Sequence, residues 1–295
     1  MLKHGKLLPV KEGQLGLRQS DALFHHVQQL PEMSAMLAEE LGGRMPDVIG
    51  VSTRPRPIEG SYMPCFEAGR SLAEQLGAYM GIPVYRFSHQ EGHIRAALYS
   101  AALTRGEQLD MGDRFVAFHV SGGTTEAVMV SVRNGAENGY DIKYLCGSLD
   151  LKAGQAVDRA AALLGLGFPG GKELDRLSLE WPEDIKVRPT MRGMDCSLSG
   201  IENKCKRQLE EGREPAYIAR CCLCSIASAL LGMHDAIIEK YGDLPVIFAG
   251  GVSSNTVIRR ILTERTHAVF AQPEYSCDNA AGTALLAAER YARQE

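Results

Sequence analysis

At 295 residues, with 45% hydrophobic and 23% charged side chains, the chain has the make-up of a globular protein, with apolar material for one large domain or two lobes. A net charge of −4 excludes a strongly basic nucleic-acid platform, although not a local basic patch. No run approaches the apolar length of a membrane span, and Met1-Leu2-Lys3-His4-Gly5-Lys6 lacks a signal-peptide core, so the expectation is cytoplasmic with no membrane partner.

The first third alternates helix and strand. Helices are predicted from Ser20 to Gln29 and from Glu32 to Leu41, the second closed by Gly42-Gly43. A buried strand over 47–53, a proline-rich turn and a helix over about 63–80 follow. A strand over 82–87 then gives way to a helix that opens at His89 and runs to about Thr104. Past a polar hinge, 105–113, strands at 115–120 and 127–132 form a hairpin with the tip Ser121-Gly122-Gly123-Thr124-Thr125-Glu126. A mostly helical stretch over about 152–241 comes next. The chain closes with a strand over 245–249, a second Gly-Gly turn, a helix, a short strand over 267–270 and a helix from Asn279. Strands alternating with helices predict an α/β protein in two lobes.

Eight cysteines are scattered through apolar contexts. Cys221 and Cys224 have C-x-x-C spacing without a second pair at zinc-finger distance, so buried reduced thiols are the expectation.

The most informative pattern is His89-Gln90-Glu91-Gly92-His93. Histidines four apart share one helix face, which suits a metal-ligand pair and plain helix packing equally. Gly92 permits close approach of substrate or backbone. Zincins place glutamate directly after the first histidine; here Gln90 stands there and Glu91 lies about 100° further round the helix. Asp278, at the start of the last helix, is the candidate third ligand or an ordinary N-cap, two roles that do not exclude each other. The tip Ser121-Gly122-Gly123-Thr124 exposes backbone N–H groups to which a phosphate can come close. Gly250-Gly251-Val252-Ser253-Ser254-Asn255 repeats the strand-to-glycine-turn pattern, and the two turns suit a nucleotide held between them. Asp158, on an otherwise apolar helix face, is either a solvated carboxylate or a ribose-hydroxyl acceptor.

Taken in order, His89-Gln-Glu-Gly-His93, Ser121-Gly-Gly-Thr124, Gly154-Gln-Ala-Val-Asp158, Phe168-Pro-Gly-Gly171, Cys196-Ser-Leu-Ser-Gly200, Gly250-Gly-Val-Ser-Ser-Asn255 and Cys277-Asp-Asn-Ala280 resemble the TsaD-type tRNA N6-threonylcarbamoyladenosine synthase family, long labelled glycoprotease or peptidase M22. The resemblance covers roughly residues 80–295 and implies a two-lobed actin-like, Hsp70-like (ASKHA) fold of duplicated RNase H-type sheets. The N-terminal lobe would comprise 1–107, completed by 279–295, and the C-terminal lobe 108–278 with a helical insert at about 152–241.

The same resemblance implies that His89, His93 and Asp278 hold one divalent ion, iron or zinc. Ser121, Gly122, Gly123 and Thr124 would hold threonylcarbamoyl-AMP, or an ATP- or AMP-like nucleotide, and Asp158, Gly171, Gly250, Gly251 and Asn255 would line its nucleoside part. The implied reaction passes the threonylcarbamoyl group to N6 of the adenosine 3′ of a tRNA anticodon. Partner subunits of the same family would assist, and a homodimer is an alternative assembly. Lys186, Arg188, Arg192, Lys204, Lys206 and Arg207 are candidate phosphate contacts, against the bland reading of a solvated charged face.

Departures from the family pattern are the absence of its first hairpin (Gly-Ile-Glu/Asp-Thr-Ser type), Thr53-Arg54-Pro55-Arg56-Pro57 in place of a Gly-Pro-Gly turn, Gln155 in place of an acidic residue, and Cys196 and Leu198 in place of phenylalanines. They frame a second hypothesis, a catalytically weak nucleotide-binding paralogue acting as a partner subunit. A metallopeptidase is the third, opposed by Gln90.

Overall fold

The computed structural model describes residues 4–6, 8–9, 17–106, 109–132, 139–276 and 280–294. The chain opens with helix α1 (Gln19–Leu41), strand β1 (Ile49–Arg54), α2 (Phe66–Met80), β2 (Val84–Ser88) and α3 (His89–Arg105). Strands β3 (Arg114–Val120), β4 (Thr125–Val132) and β5 (Tyr140–Gly147) follow, then α4 (Ala153–Leu163) and α5 (Gly171–Ser178). After the short β6 (Thr190–Arg192) and β7 (Asp195–Ser197) come α6 (Gly200–Glu210), α7 (Pro215–Tyr241), β8 (Val246–Ala249), α8 (Thr256–Arg265), β9 (Val269–Phe270), α9 (Pro273–Ser276) and α10 (Ala281–Ala292).

Two compact units result. One comprises Met1–Tyr99, Glu137–Gly139 and Asp278–Glu295, the other Ser100–Ala136 and Tyr140–Cys277. The division falls inside α3, between Tyr99 and Ser100, while the helix itself runs on to Arg105.

The first unit is built on two parallel strands, with Ile49 opposite Val84 and Ser52 opposite Phe87. The last helix, α10, comes down on β1 at Gly50, where a Cβ would stand 2.6 Å from the Thr283 carbonyl oxygen. The predicted break between two N-terminal helices does not occur, because α1 runs straight through Pro31. Proline deletes one N–H, and the Gln, Leu, Glu and Met residues around it favour helix enough to carry the chain across.

A mixed five-stranded sheet of order β5-β4-β3-β8-β9 organises the second unit, with β3 antiparallel to β4 and parallel to β8. Phe118, Phe248 and Phe270 are register partners on three neighbouring strands, and their rings stack at 4.5 and 5.3 Å. Against this ladder pack Ala156, Ala160 and Ala161 of α4 and Ile218, Cys222, Leu223, Ile226, Leu230 and Met233 of α7, all buried.

Strand β5 lies beyond the elements expected from the sequence. The stretch 152–241 is mostly helical, as expected, with a short hairpin of β6 and β7 within it. Finally, α7 is, by length and composition, long and apolar enough to cross a membrane, contrary to the reading that no run approaches that length. Its residues are apolar all round because the helix is packed into this unit's core.

Candidate functional site

The histidine pair belongs to the first unit, and its orientation is set by the start of α3. Ser88 caps the helix: its N–H and its Oγ both donate to Glu91 Oε2 at 2.7 Å, and Glu91 N–H returns a bond to Ser88 Oγ at 3.2 Å. This is a capping box with both members fully buried. Glu91 is thereby committed to holding the first turn, and its Oε1 meets no hydrogen-bond partner among the described residues.

On the same turn the Nε2 atoms of His89 and His93 face each other at 2.9 Å, with ring centroids 4.3 Å apart and Phe66 edge-on to His89. Two imidazole nitrogens so close share either a proton or an ion. A divalent ion about 2.0–2.1 Å from each holds such atoms about 2.9–3.4 Å apart at ligand angles of 90–110°, so the pair fits a metal. Among the described residues no third His, Cys, Asp or Glu completes a cluster. Asp278, the expected third ligand, lies outside the described residues.

Of the two uses expected of Gly92, close approach of substrate or of backbone, the structure shows the second. A Cβ there would stand 2.7 Å from Thr283 Oγ1, and a Cβ on Gly282 would stand 1.8 Å from the Gly92 carbonyl oxygen. The glycine lets α10 close onto the histidine helix. Thr283 also meets Ser52 Oγ at 3.2 Å.

The glycine turns belong to the second unit. Ser121 N–H donates to Thr124 O at 2.7 Å and Thr124 N–H to Ser121 Oγ at 3.2 Å, which closes the tip of the β3–β4 hairpin. The start of α4 lies on that tip: Gly154 N–H donates to Ser121 O at 3.1 Å, and a Cβ at Gly154 would stand 2.5 Å from the Gly122 Cα. Beside it, β8 runs parallel to β3 and ends at Gly250, whose φ of 98° and 2.3 Å clearance from Val120 O admit only glycine. Ser121, Gly122, Gly123, Thr124, Gly250 and Gly251 thus gather at one end of neighbouring strands.

Asp158 sits further along α4, and its Oδ1 accepts from Gly170 N–H at 3.0 Å, tethering the loop that precedes Gly171. Asn255 caps α8, its Oδ1 accepting from Val257 and Ile258 N–H at 3.1 Å each. The same helix start is held by Asp175 of α5, which accepts from Thr256 N–H and Oγ1. Gln155, in place of an acidic residue, still accepts from Lys152 N–H at 3.2 Å, as the third residue of a cap does. Lys186, Arg188, Arg192 and Lys206 are exposed, Lys204 is half-buried, and Arg207 pairs with Glu211 at 3.7 Å.

Six of the seven described cysteines are buried and all seven are free thiols, with Cys277 outside the described residues. Burial, reinforced by the Asp195 charge, pushes Cys146 up to about 12. Burial likewise dominates at Cys196 and takes it to about 11.

The mixed sheet, glycine turns and strand–helix order place the chain in the actin-like α/β class. The solved structure of HypF from T. kodakarensis aligns over 88% of this chain with a TM-score of 0.61 at 14% identity, and the chain spans 42% of that protein. A second HypF structure, phosphate- and nucleotide-bound, aligns over 93% with a TM-score of 0.56 at 13% identity, the chain spanning 50% of it. The family model of tRNA N6-adenosine threonylcarbamoyltransferase (TsaD) matches residues 14–285, and the chain belongs to that family. A tRNA N6-adenosine threonylcarbamoyltransferase of Persephonella marina is 30% identical over 92% of this chain and 77% of its own length. The enzyme of the same name from Corynebacterium aurimucosum is 28% identical over 81% of this chain and 68% of its own.

Proposed function

We propose that this protein transfers a threonylcarbamoyl group from threonylcarbamoyl-AMP to N6 of the adenosine 3′ of a tRNA anticodon, in the cytoplasm and with partner subunits of its family. The observation that carries the reading is the facing pair of His89 and His93 Nε2 atoms, 2.9 Å apart, in a chain the family model matches from 14 to 285. In the transfer the N6 nitrogen bonds to the carbamoyl carbon and loses a proton. The bond from that carbon to the AMP phosphate oxygen breaks, and AMP leaves with the electron pair.

His89 and His93, with Asp278, would hold one divalent ion, iron or zinc. The described chain resumes at Ala280, and Gly282 touches the Gly92 carbonyl, so Asp278 is four residues from a point on the histidine helix. Such an ion supplies Lewis-acid polarisation of the carbonyl under attack. The Gly122 and Gly123 N–H groups at the Ser121–Thr124 tip would bind phosphate, while Asp158, Gly171, Gly250, Gly251 and Asn255 would line the nucleoside. Because Asp158 Oδ1 and Asn255 Oδ1 are occupied by backbone N–H groups, their remaining polar atoms, Asp158 Oδ2 and Asn255 Nδ2, are the ones assigned to the nucleoside. Glu91 is fully buried, with its Oε2 held by the Ser88 N–H and hydroxyl, which commits it to the helix start rather than to the role of a peptidase base.

The Pro55 carbonyl accepts from Gln90 N–H at 3.1 Å, so the proline-rich turn lies against the first turn of the histidine helix. The test is transfer of labelled threonylcarbamoyl-AMP to tRNA by the purified chain, with and without family partners. Label on adenosine N6 that depends on this chain supports the enzyme. Undiminished labelling when the chain is omitted from the partner mixture contradicts it.

A further inference from the structure

Asp150 lies between β5 and α4, and neither the metal nor the nucleotide reading uses it. The segment on either side of it is bonded to the hairpin tip: Ser148 N–H donates to Thr125 O at 2.9 Å, Ala153 N–H to Thr125 Oγ1 at 2.8 Å and Gly154 N–H to Ser121 O at 3.1 Å. The Asp150 side chain reaches the other way, to the turn between β7 and α6 some 48 residues on. Its Oδ1 accepts from Leu198 N–H at 2.8 Å and Ser199 N–H at 3.3 Å, besides Leu151 N–H at 2.6 Å. Its Oδ2 accepts the Ser199 hydroxyl at 2.6 Å and the Ser197 hydroxyl. Leu149 N–H adds a backbone bond to Cys196 O at 2.9 Å.

An exposed carboxylate is ordinarily left to water. Here one exposed side chain gathers six donors, the Ser148 hydroxyl at 3.3 Å among them and four from a single distant turn, Cys196-Ser-Leu-Ser-Gly200, and charge-assisted bonds are about twice as strong as neutral ones. We propose that Asp150 is a positioning residue for substrate binding: it holds the Ser197–Ser199 turn in fixed register with the Ser121–Thr125 tip, so that the two present one preorganised surface to the adenylate. The proposal rests on the reading that the tip takes the adenylate. Burial by itself would raise the Asp150 carboxyl, but the bonds from Ser197, Ser199, Leu198 and Leu151 outweigh it and hold the group well below the usual carboxylate range.

The decisive experiment has two arms on the full chain, each comparing Asp150→Ala, Asp150→Asn and a Ser197→Ala/Ser199→Ala variant with wild type. Hydrogen exchange without ligand reads the clamp directly. Asp150→Ala is expected to speed amide exchange about tenfold or more at both 197–200 and 121–125. Asp150→Asn keeps an acceptor for the Leu198 and Ser199 N–H groups and should restore much of the protection, which also covers a poorly folding alanine variant.

In transfer kinetics Asp150→Ala should raise KM for threonylcarbamoyl-AMP about tenfold or more, with kcat changed far less, because the surface that receives the adenylate is no longer held in register. Combined with the double serine variant it should add little further, because all act through one contact. Faster exchange confined to 197–200, or an unchanged KM, overturns the proposal. If wild type transfers nothing, the functional reading fails while the exchange arm still decides whether the clamp exists.

Discussion

The two units are held together by different means. In the first, elements meet where side chains are missing: α10 lies on β1 at Gly50 and on α3 at Gly92 and Gly282, and a polar capping box fixes the histidine helix. In the second, a five-stranded sheet carries three stacked phenylalanines, and α7 is buried over most of its first half. The chemistry follows this division. The first unit offers side-chain ligands, whose aim depends on helix placement to a few tenths of an ångström. The second offers backbone N–H groups in turns, which a rigid sheet positions by holding its strand ends.

That contrast can be broken from either side. The largest stability loss is expected from Phe248→Ala, which empties the middle of the aromatic ladder and should cost about 3–5 kcal/mol in denaturant unfolding. Metal content per folded chain should stay as in wild type, and a loss of metal here would erase the distinction. Next comes Gly282→Ala, whose added methyl would meet the Gly92 carbonyl oxygen and the Ala96 nitrogen. Backbone atoms cannot swing aside as a flexible side chain can, so a cost of about 1–3 kcal/mol is expected, together with weaker metal binding because α3 and α10 are pushed apart.

Ser88→Ala should cost about 0.5–2 kcal/mol as a lost cap and lower metal affinity about 10–100-fold through misorientation of His89 and His93. Calorimetry and metal titration read the two effects separately.

The smallest effect is the pH dependence contributed by Asp150. Its folded-state carboxyl is held below its unfolded value, so its stabilising contribution is fully present above about pH 4 and is lost only as pH falls through the lowered folded value. The stability difference between wild type and Asp150→Asn should therefore be flat from pH 5 to 8 and shrink in strong acid. A difference that changes between pH 6 and 8 would place the clamp elsewhere.

What was legible in the sequence follows the range of the interactions. The β3–β4 hairpin and its glycine tip could be read because alternation and turn chemistry are local, and the α/β class followed from strands alternating with helices. The capping box is also written locally, as Ser88-x-x-Glu91, but it overlaps the His89–His93 run, whose spacing carries a second, metal-ligand meaning. Strand β5 carries only a weak alternation through Asp141, Ile142 and Lys143, its first half being largely exposed. The three-residue strands β6 and β7 are too short for any periodic signal. Contacts that complete the site from a distance, Asp150 to Ser199 and Asp175 to Thr256, leave no mark at either end, since serine, threonine and aspartate are ordinary residues for turns and caps. Similarly, Gly92 read equally well as room for substrate or for backbone, and only the position of α10 decides between them.

The central claim is that His89 and His93 together hold the ion on which transfer depends. Its most direct measurement is the rate of threonylcarbamoyl transfer to tRNA by a His89→Ala/His93→Ala variant, beside wild type and under the same partner conditions. A Lewis acid contributes several kcal/mol to such a step, so the rate should fall at least about 100-fold with the fold intact by circular dichroism. A variant that transfers at the wild-type rate would contradict the account.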